Sequence, residues 1–170
     1  MTIILNRCIV RSWQTGDIRS LVANANNHSI WRNLRDRFPH PYTRQDGARF
    51  IRHAREARPE THFAIVVGDR AVGAIGFEIQ PDVERVSAEI GYWIGEAYWG
   101  RGIVSEALVA VTAYAMDAHH LTRVFALPFA NNSASCRVLE KAGYVTEARL
   151  RRSAIKDGTI QDQIQYAFVP

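Results

Sequence analysis

A chain of 170 residues, 47% of them apolar, holds enough material for one compact core, and a second independent domain is not expected. No stretch approaches the roughly 20 apolar residues of a membrane helix, and Met1 to Val10 lacks the charged start, apolar run and small-residue cleavage site of a secretion signal. The net charge of +4 is modest, and the two distant cysteines, Cys8 and Cys136, read as free thiols in a reducing cytoplasm rather than as a disulfide or metal framework.

Ile3 to Val10 reads as an opening strand, and Asp17 to Asn26 as a helix burying Ile18, Leu21, Val22 and Ala25. Trp31, Leu34 and Phe38 keep helical spacing until Pro39 and Pro41 end the pattern. A further helix is expected from Arg44 to Arg58, with Ala48, Ile51 and Arg55 on one side. Eight arginines fall between Arg32 and Arg58, against Asp36, Asp46 and Glu56. That excess suits an anionic cofactor, an acidic protein or nucleic acid, or is simply a solvated helix face. Without an interleaved base-reading motif, nucleic-acid binding is not expected as the main role.

The pattern then turns to period two. His62 to Val67 and Ala71 to Ile79 read as strands around the turn Gly68-Asp69-Arg70, and Val86 to Ile94 as a third strand after Pro81-Asp82. Arg101 to Ala118 is a long helix with the stripe Ile103, Ala107, Leu108, Val111 and Ala115. A short strand at Arg123 to Leu127 precedes a helix at Asn132 to Ala142 that Gly143 ends. Tyr144 to Ile155 and Thr159 to Val169 form a last hairpin around Lys156-Asp157-Gly158. The sum is one α/β (α+β) domain over residues 1–170, a mixed sheet flanked by helices with a parallel strand–helix–strand unit in its second half.

The segment Tyr98-Trp99-Gly100-Arg101-Gly102-Ile103-Val104-Ser105 joins a strand to an amphipathic helix. Two glycines let backbone N–H groups converge, and the helix start adds partial positive charge, which together serve a phosphate or pyrophosphate. A tight connection without a ligand is the alternative reading of those residues alone. The turn follows Glu89-Ile90-Gly91-Tyr92-Trp93-Ile94 and precedes Asn131-Asn132-Ser133-Ala134-Ser135 and Val138-Leu139-Glu140-Lys141-Ala142-Gly143-Tyr144. In this order and spacing the chain resembles the GNAT acetyltransferases, and among them the RimJ/RimL-like protein N-terminal acetyltransferases, over nearly its whole length.

The resemblance implies a single GNAT-type domain, a mostly antiparallel sheet with a splayed parallel pair, and acetyl-CoA as co-substrate with no metal. It assigns Gly100, Arg101, Gly102, Ile103, Val104 and Ser105 to the coenzyme A pyrophosphate, and Tyr92, Trp93 and Ile94 to the pantetheine arm. Trp99 and Val104 depart from the Gln or Arg and the Gly or Ala that the family often places there. Asn132 would bind the cofactor's amide chain, cap its own helix, or do both. Glu89 is the implied base, its alternative a cross-strand ion pair with Arg85 or Arg70. Ser135 is the implied acid to the departing thiolate, its alternative a bond back to its own helix; the tyrosine many relatives use falls at Leu139. Trp31, Phe38 and Tyr42 are expected on the acceptor side, as are Asp162 and Tyr166, with an exposed edge position the alternative for Asp162. Cys136 reads as a buried small residue rather than a nucleophile, and the histidines, His119-His120 included, as surface or capping groups.

The implied acceptor is a primary amine, first the α-amino group of a protein, with a small amine (polyamine, amino acid or antibiotic) as the alternative. A non-catalytic acyl-CoA sensor would keep the glycine turn and Asn132 but need neither Glu89 nor Ser135. The expected setting is cytoplasmic and off the membrane, and a homodimer through the exposed sheet or the last hairpin is left open.

Overall fold

The computed structural model describes residues 1–170. Eight strands follow the order β1-β2-β3-β4-β5-β6-β8-β7; the sheet is mostly antiparallel, with β5 and β6 as its parallel pair. By internal packing the chain divides into two compact units, Met1–Gly76 with Tyr92–Ala107, and Phe77–Gly91 with Leu108–Pro170.

The first unit opens with β1 (Thr2–Ile4) and β2 (Ile9–Ser12), an antiparallel hairpin that pairs Ile3 with Val10. A single strand over Ile3 to Val10 was the expectation. The chain turns instead at Asn6-Arg7, where Leu5 N donates to Cys8 O at 2.9 Å, and apolar residues on both sides hide that turn from a pattern reading. A 3₁₀ turn at Thr15–Asp17 leads into α1 (Ile18–Ala25), and Arg11 holds the buried Asp17 carboxylate bidentately at 2.8 Å. Next, α2 (His28–Trp31) lasts one turn, capped by Asn27, so the Trp31, Leu34 and Phe38 spacing does not continue as a helix.

A Thr43 and Asp46 capping box starts α3 (Arg44–Glu56). Its buried side is Gly47, Ile51 and Ala54, whereas Ala48 and Arg55 face solvent, contrary to the expected stripe. The reason is Gly47: a Cβ there would stand 3.0 Å from Val22 Cγ2 on α1, so the helices approach at the residue without a side chain. β3 (His62–Val67) and β4 (Arg70–Ile79) follow as an antiparallel pair. Trp13, Leu21, Tyr42, Ile51 and Val66 lie in the core of this unit, with Phe38, Phe50 and Trp93 packed against it.

Three elements run through both units: β4, β5 (Ser87–Ile94) and α4 (Ile103–His119). The expected α4 stripe of Ile103, Ala107, Leu108, Val111 and Ala115 is buried throughout. In the second unit β5 pairs in parallel with β6 (Arg123–Ala126) through Ser87, Ala88 and Glu89. α5 (Ser133–Lys141) follows, and β7 (Val145–Lys156) and β8 (Thr159–Phe168) form the last hairpin. His119, in the last turn of α4, is half-buried and not fully at the surface: its ring packs 5.3 Å from Phe77 and 5.8 Å from Tyr114, and burial lowers its pKa.

Candidate functional site

One set of candidate residues lies wholly in the first unit. The end of β5 runs close to β4: Gly95 N donates to Val72 O at 2.7 Å, and a Cβ on Gly73 would stand 2.4 Å from Trp93 O. Only glycine permits that approach. After a 3₁₀ turn at Glu96–Tyr98, Trp99 folds back so that its indole N–H donates to Ile94 O at 2.9 Å. The tryptophan that departs from the family pattern thus fastens the turn to the strand end.

Gly100 and Gly102 both hold φ +73°, a left-handed conformation that strains any other residue, and the space where a Cβ on Gly100 would stand is open. Alternating left-handed glycines before a helix aim successive N–H groups at one point, and the opening N–H groups of α4 have no intrahelical partner. Gly100, Arg101 and Gly102 are exposed and Ile103 and Val104 buried, so the backbone of the two glycines is open to solvent. This donor-rich turn fits a phosphate or pyrophosphate. The Arg101 guanidinium lies over the Tyr98 ring at 5.4 Å. From the β1–β2 turn, Asn6 N and Arg7 N each donate to the Glu106 carboxylate at 3.0 Å.

The expected acceptor residues of this unit differ among themselves. Tyr42 is buried, 5% exposed, and burial pushes its hydroxyl up to about 12. Phe38 links it, at 4.9 Å, to Trp93 at 5.6 Å. Trp31 is half-buried between His28 and His40, at 5.2 and 5.6 Å, two rings that the sequence reading did not single out.

Another set of candidate residues lies in the second unit. Glu89 stands half-buried on β5 opposite Phe125 of β6. Beyond β6 the chain stays fastened to β8: Ile164 N donates to Pro128 O at 3.0 Å and Ala130 N to Asp162 O at 2.9 Å. This fixes the start of α5, where Asn132 Oδ1 accepts from Ser135 N at 3.2 Å, so Asn132 is an N-cap. Ser135 and Cys136 occupy the first turn of α5 and both are half-buried, so Cys136 is less enclosed than expected. Leu139, at the place of the family tyrosine, is fully buried.

Tyr166 lies beside this turn. Its hydroxyl donates to Glu140 Oε1 at 2.9 Å and borders Cys136 and Thr146, and burial pushes it up to about 12. Asp162 accepts from Arg149 Nε at 2.7 Å and Arg152 N at 2.8 Å, and these bonds hold its carboxyl below the usual range. Its carboxylate is engaged within the hairpin. No group of three His, Cys, Asp or Glu is arranged to hold a metal.

A strand that ends in a left-handed glycine turn and a long helix, followed by a parallel strand and a second capped helix, defines an acyltransferase-type α/β fold. The chain matches the acetyltransferase (GNAT) domain over residues 7–145 and belongs to that family. It is 38% identical over 98 residues to the uncharacterized N-acetyltransferase YoaA of Bacillus subtilis (strain 168), covering 58% of this chain and 55% of that protein. It is 30% identical over 107 residues to the ribosomal-protein-serine acetyltransferase of Escherichia coli (strain K12), covering 63% and 59%. The chain thus spans little more than half the length of these curated relatives. Among solved structures, a GNAT-family acetyltransferase from Bacillus anthracis superposes with a TM-score of 0.85 at 22% identity, covering 99% of this chain and 98% of that one. RimL, a ribosomal alpha-N-protein acetyltransferase in complex with coenzyme A, superposes with a TM-score of 0.87 at 18% identity, over the same shares. These likenesses show the fold.

Proposed function

We propose that residues 1–170 work as one N-acetyltransferase domain in the cytoplasm, using acetyl-CoA to acetylate a primary amine, first of all the N-terminal α-amino group of a protein. The observation that carries this reading is the pair of left-handed glycines, Gly100 and Gly102, opening onto the start of α4 in a chain of the GNAT family. The choice of a protein acceptor leans on the similarity to a ribosomal-protein-serine acetyltransferase.

In this reading the N–H groups of Gly100 to Ser105 hold the pyrophosphate, and the backbone of Tyr92, Trp93 and Ile94 pairs with the pantetheine arm. Asn132 combines its cap with a contact to the amide chain. Acetyl-CoA supplies the acetyl group as a thioester. An amine attacks only after losing its proton, and Glu89 accepts that proton directly or through a water. A backbone N–H of β5 stabilises the oxyanion, and the Ser135 hydroxyl donates to the departing sulfur. Trp31 and Phe38 would border the acceptor, while the burial of Tyr42 and the engagement of Asp162 with Arg149 give those two a supporting part.

The test follows coenzyme A release with three acceptors: a peptide with a free N-terminus, the same peptide N-terminally blocked, and spermidine. Turnover with the free-ended peptide alone is expected. Turnover with spermidine alone would transfer the enzyme to small amines and overturn the protein-acceptor reading. Glu89→Gln should keep coenzyme A binding and lose at least about 100-fold in turnover, the usual range for a general base. Unchanged turnover in that variant would remove Glu89 from the chemistry, and a wild type that binds the cofactor but never turns over would favour a sensor.

A further inference from the structure

The β1–β2 turn is built onto the start of α4, although some hundred residues separate them in sequence. The Glu106 carboxylate accepts from the peptide N–H groups of both Asn6 and Arg7 at 3.0 Å. This clamp fixes the backbone of Arg7 beside the glycine turn, and a Cβ placed on Gly102 would stand 3.5 Å from Arg7 Nε. The Arg7 guanidinium is therefore held at the side of the left-handed turn.

Its charge is not spent there. The contact of Arg7 Nη1 with Glu106 Oε2 is long, 3.9 Å, and the arginine side chain is 57% exposed. Glu106 itself needs an account, because a carboxylate in the first turn of α4 repels any anion bound at that helix start. Two peptide N–H groups take up its oxygens, and Arg7, in only long contact with it, keeps its cation on the side open to solvent. A guanidinium so placed presents several N–H donors in a fixed fork that matches phosphate oxygens.

We infer that Arg7 is a phosphate-binding residue for the coenzyme, positioned by Glu106 beside the glycine turn and reading a phosphate that the backbone amides do not themselves neutralise. This rests on the proposed coenzyme A reading. Two phosphate sources share the chemistry, the pyrophosphate and the 3′-phosphate of the ribose.

The experiment titrates coenzyme A and 3′-dephospho-coenzyme A calorimetrically into the wild type and Arg7→Gln, with Arg85→Gln, on the exposed turn before β5, as a control for loss of one charge. Arg7→Gln should weaken coenzyme A binding about tenfold, the size expected for a charged hydrogen bond in a partly exposed place, while Arg85→Gln leaves it unchanged. A loss confined to coenzyme A assigns Arg7 to the 3′-phosphate, and an equal loss with both ligands assigns it to the pyrophosphate; either supports the inference. Equal affinity of Arg7→Gln and wild type for both ligands overturns it while leaving the function intact. A wild type that binds neither ligand overturns both.

Discussion

Thr112 and Tyr144 show what one buried pair does for the second unit. Their hydroxyls lie 2.6 Å apart, each residue is 3% exposed, and burial drives the tyrosine pKa upward. Tyr144→Phe leaves the Thr112 hydroxyl without that partner and should cost about 1–3 kcal/mol in urea unfolding, the penalty of an unmatched buried hydroxyl. Adding Thr112→Val should recover part of that loss, because removing both partners also removes the mismatch. Single residues also mark where sequence reading stops. Gly100, Gly102 and Asn132 are legible because their roles are written in adjacent residues, a turn and a cap. Arg7 is not: its meaning comes from Glu106, and no local pattern joins the two. Tyr166 is similar, an aromatic in a strand row until Glu140 and Cys136 on α5 give its hydroxyl an address.

At the scale of elements, most helices and strands follow from period and punctuation, since burial follows the same period. The failures share a cause. The β1–β2 hairpin is disguised by apolar residues on both sides of Asn6-Arg7, and the buried side of α3 is set by α1 at Gly47, a glycine that no hydrophobic count would choose. The start of α3 was fixed locally. Thr43 Oγ1 accepts from Asp46 N at 3.2 Å, and Thr43 N donates to Asp46 Oδ2 at 2.9 Å. Thr43→Ala should lower stability by about 1 kcal/mol, read as a lower urea midpoint with an unchanged slope. These bonds to Thr43 hold the Asp46 carboxyl below its ordinary 3.8. The contribution of the box is therefore complete above that value and fades as pH falls through the lower folded pKa.

For the molecule as a whole, the buried acids set an alkaline limit. Burial, with Glu106 nearby, raises the Cys8 thiol from 9.0 to about 11. Burial raises Tyr42 and Tyr166 from 10.0 to about 12. Each stays protonated in the folded protein where the unfolded chain would already ionise. Their contribution is complete below about pH 9 and is lost as pH climbs through 11 to 12. Melting temperature should hold level from pH 7 to 9 and then fall; a curve flat to pH 11 would show that these groups ionise alike in both states.

The last strand of the sheet order, β7, carries a further consequence. It is a twelve-residue edge with Val145 and Ile155 turned outward, 68% and 63% exposed, the kind of border on which foreign strands assemble. Its register with β8 slips twice, between Thr146 and Ala148 and between Leu150 and Ala154, and Arg152 takes φ +53° within the second slip. Arg149, Arg151 and Arg152 crowd the same stretch. An incoming strand would meet a bent rail with three arginines midway, which disfavours a long ladder. Such an irregularity disfavours fibrillar stacking, because it leaves the straight stretches of the edge short.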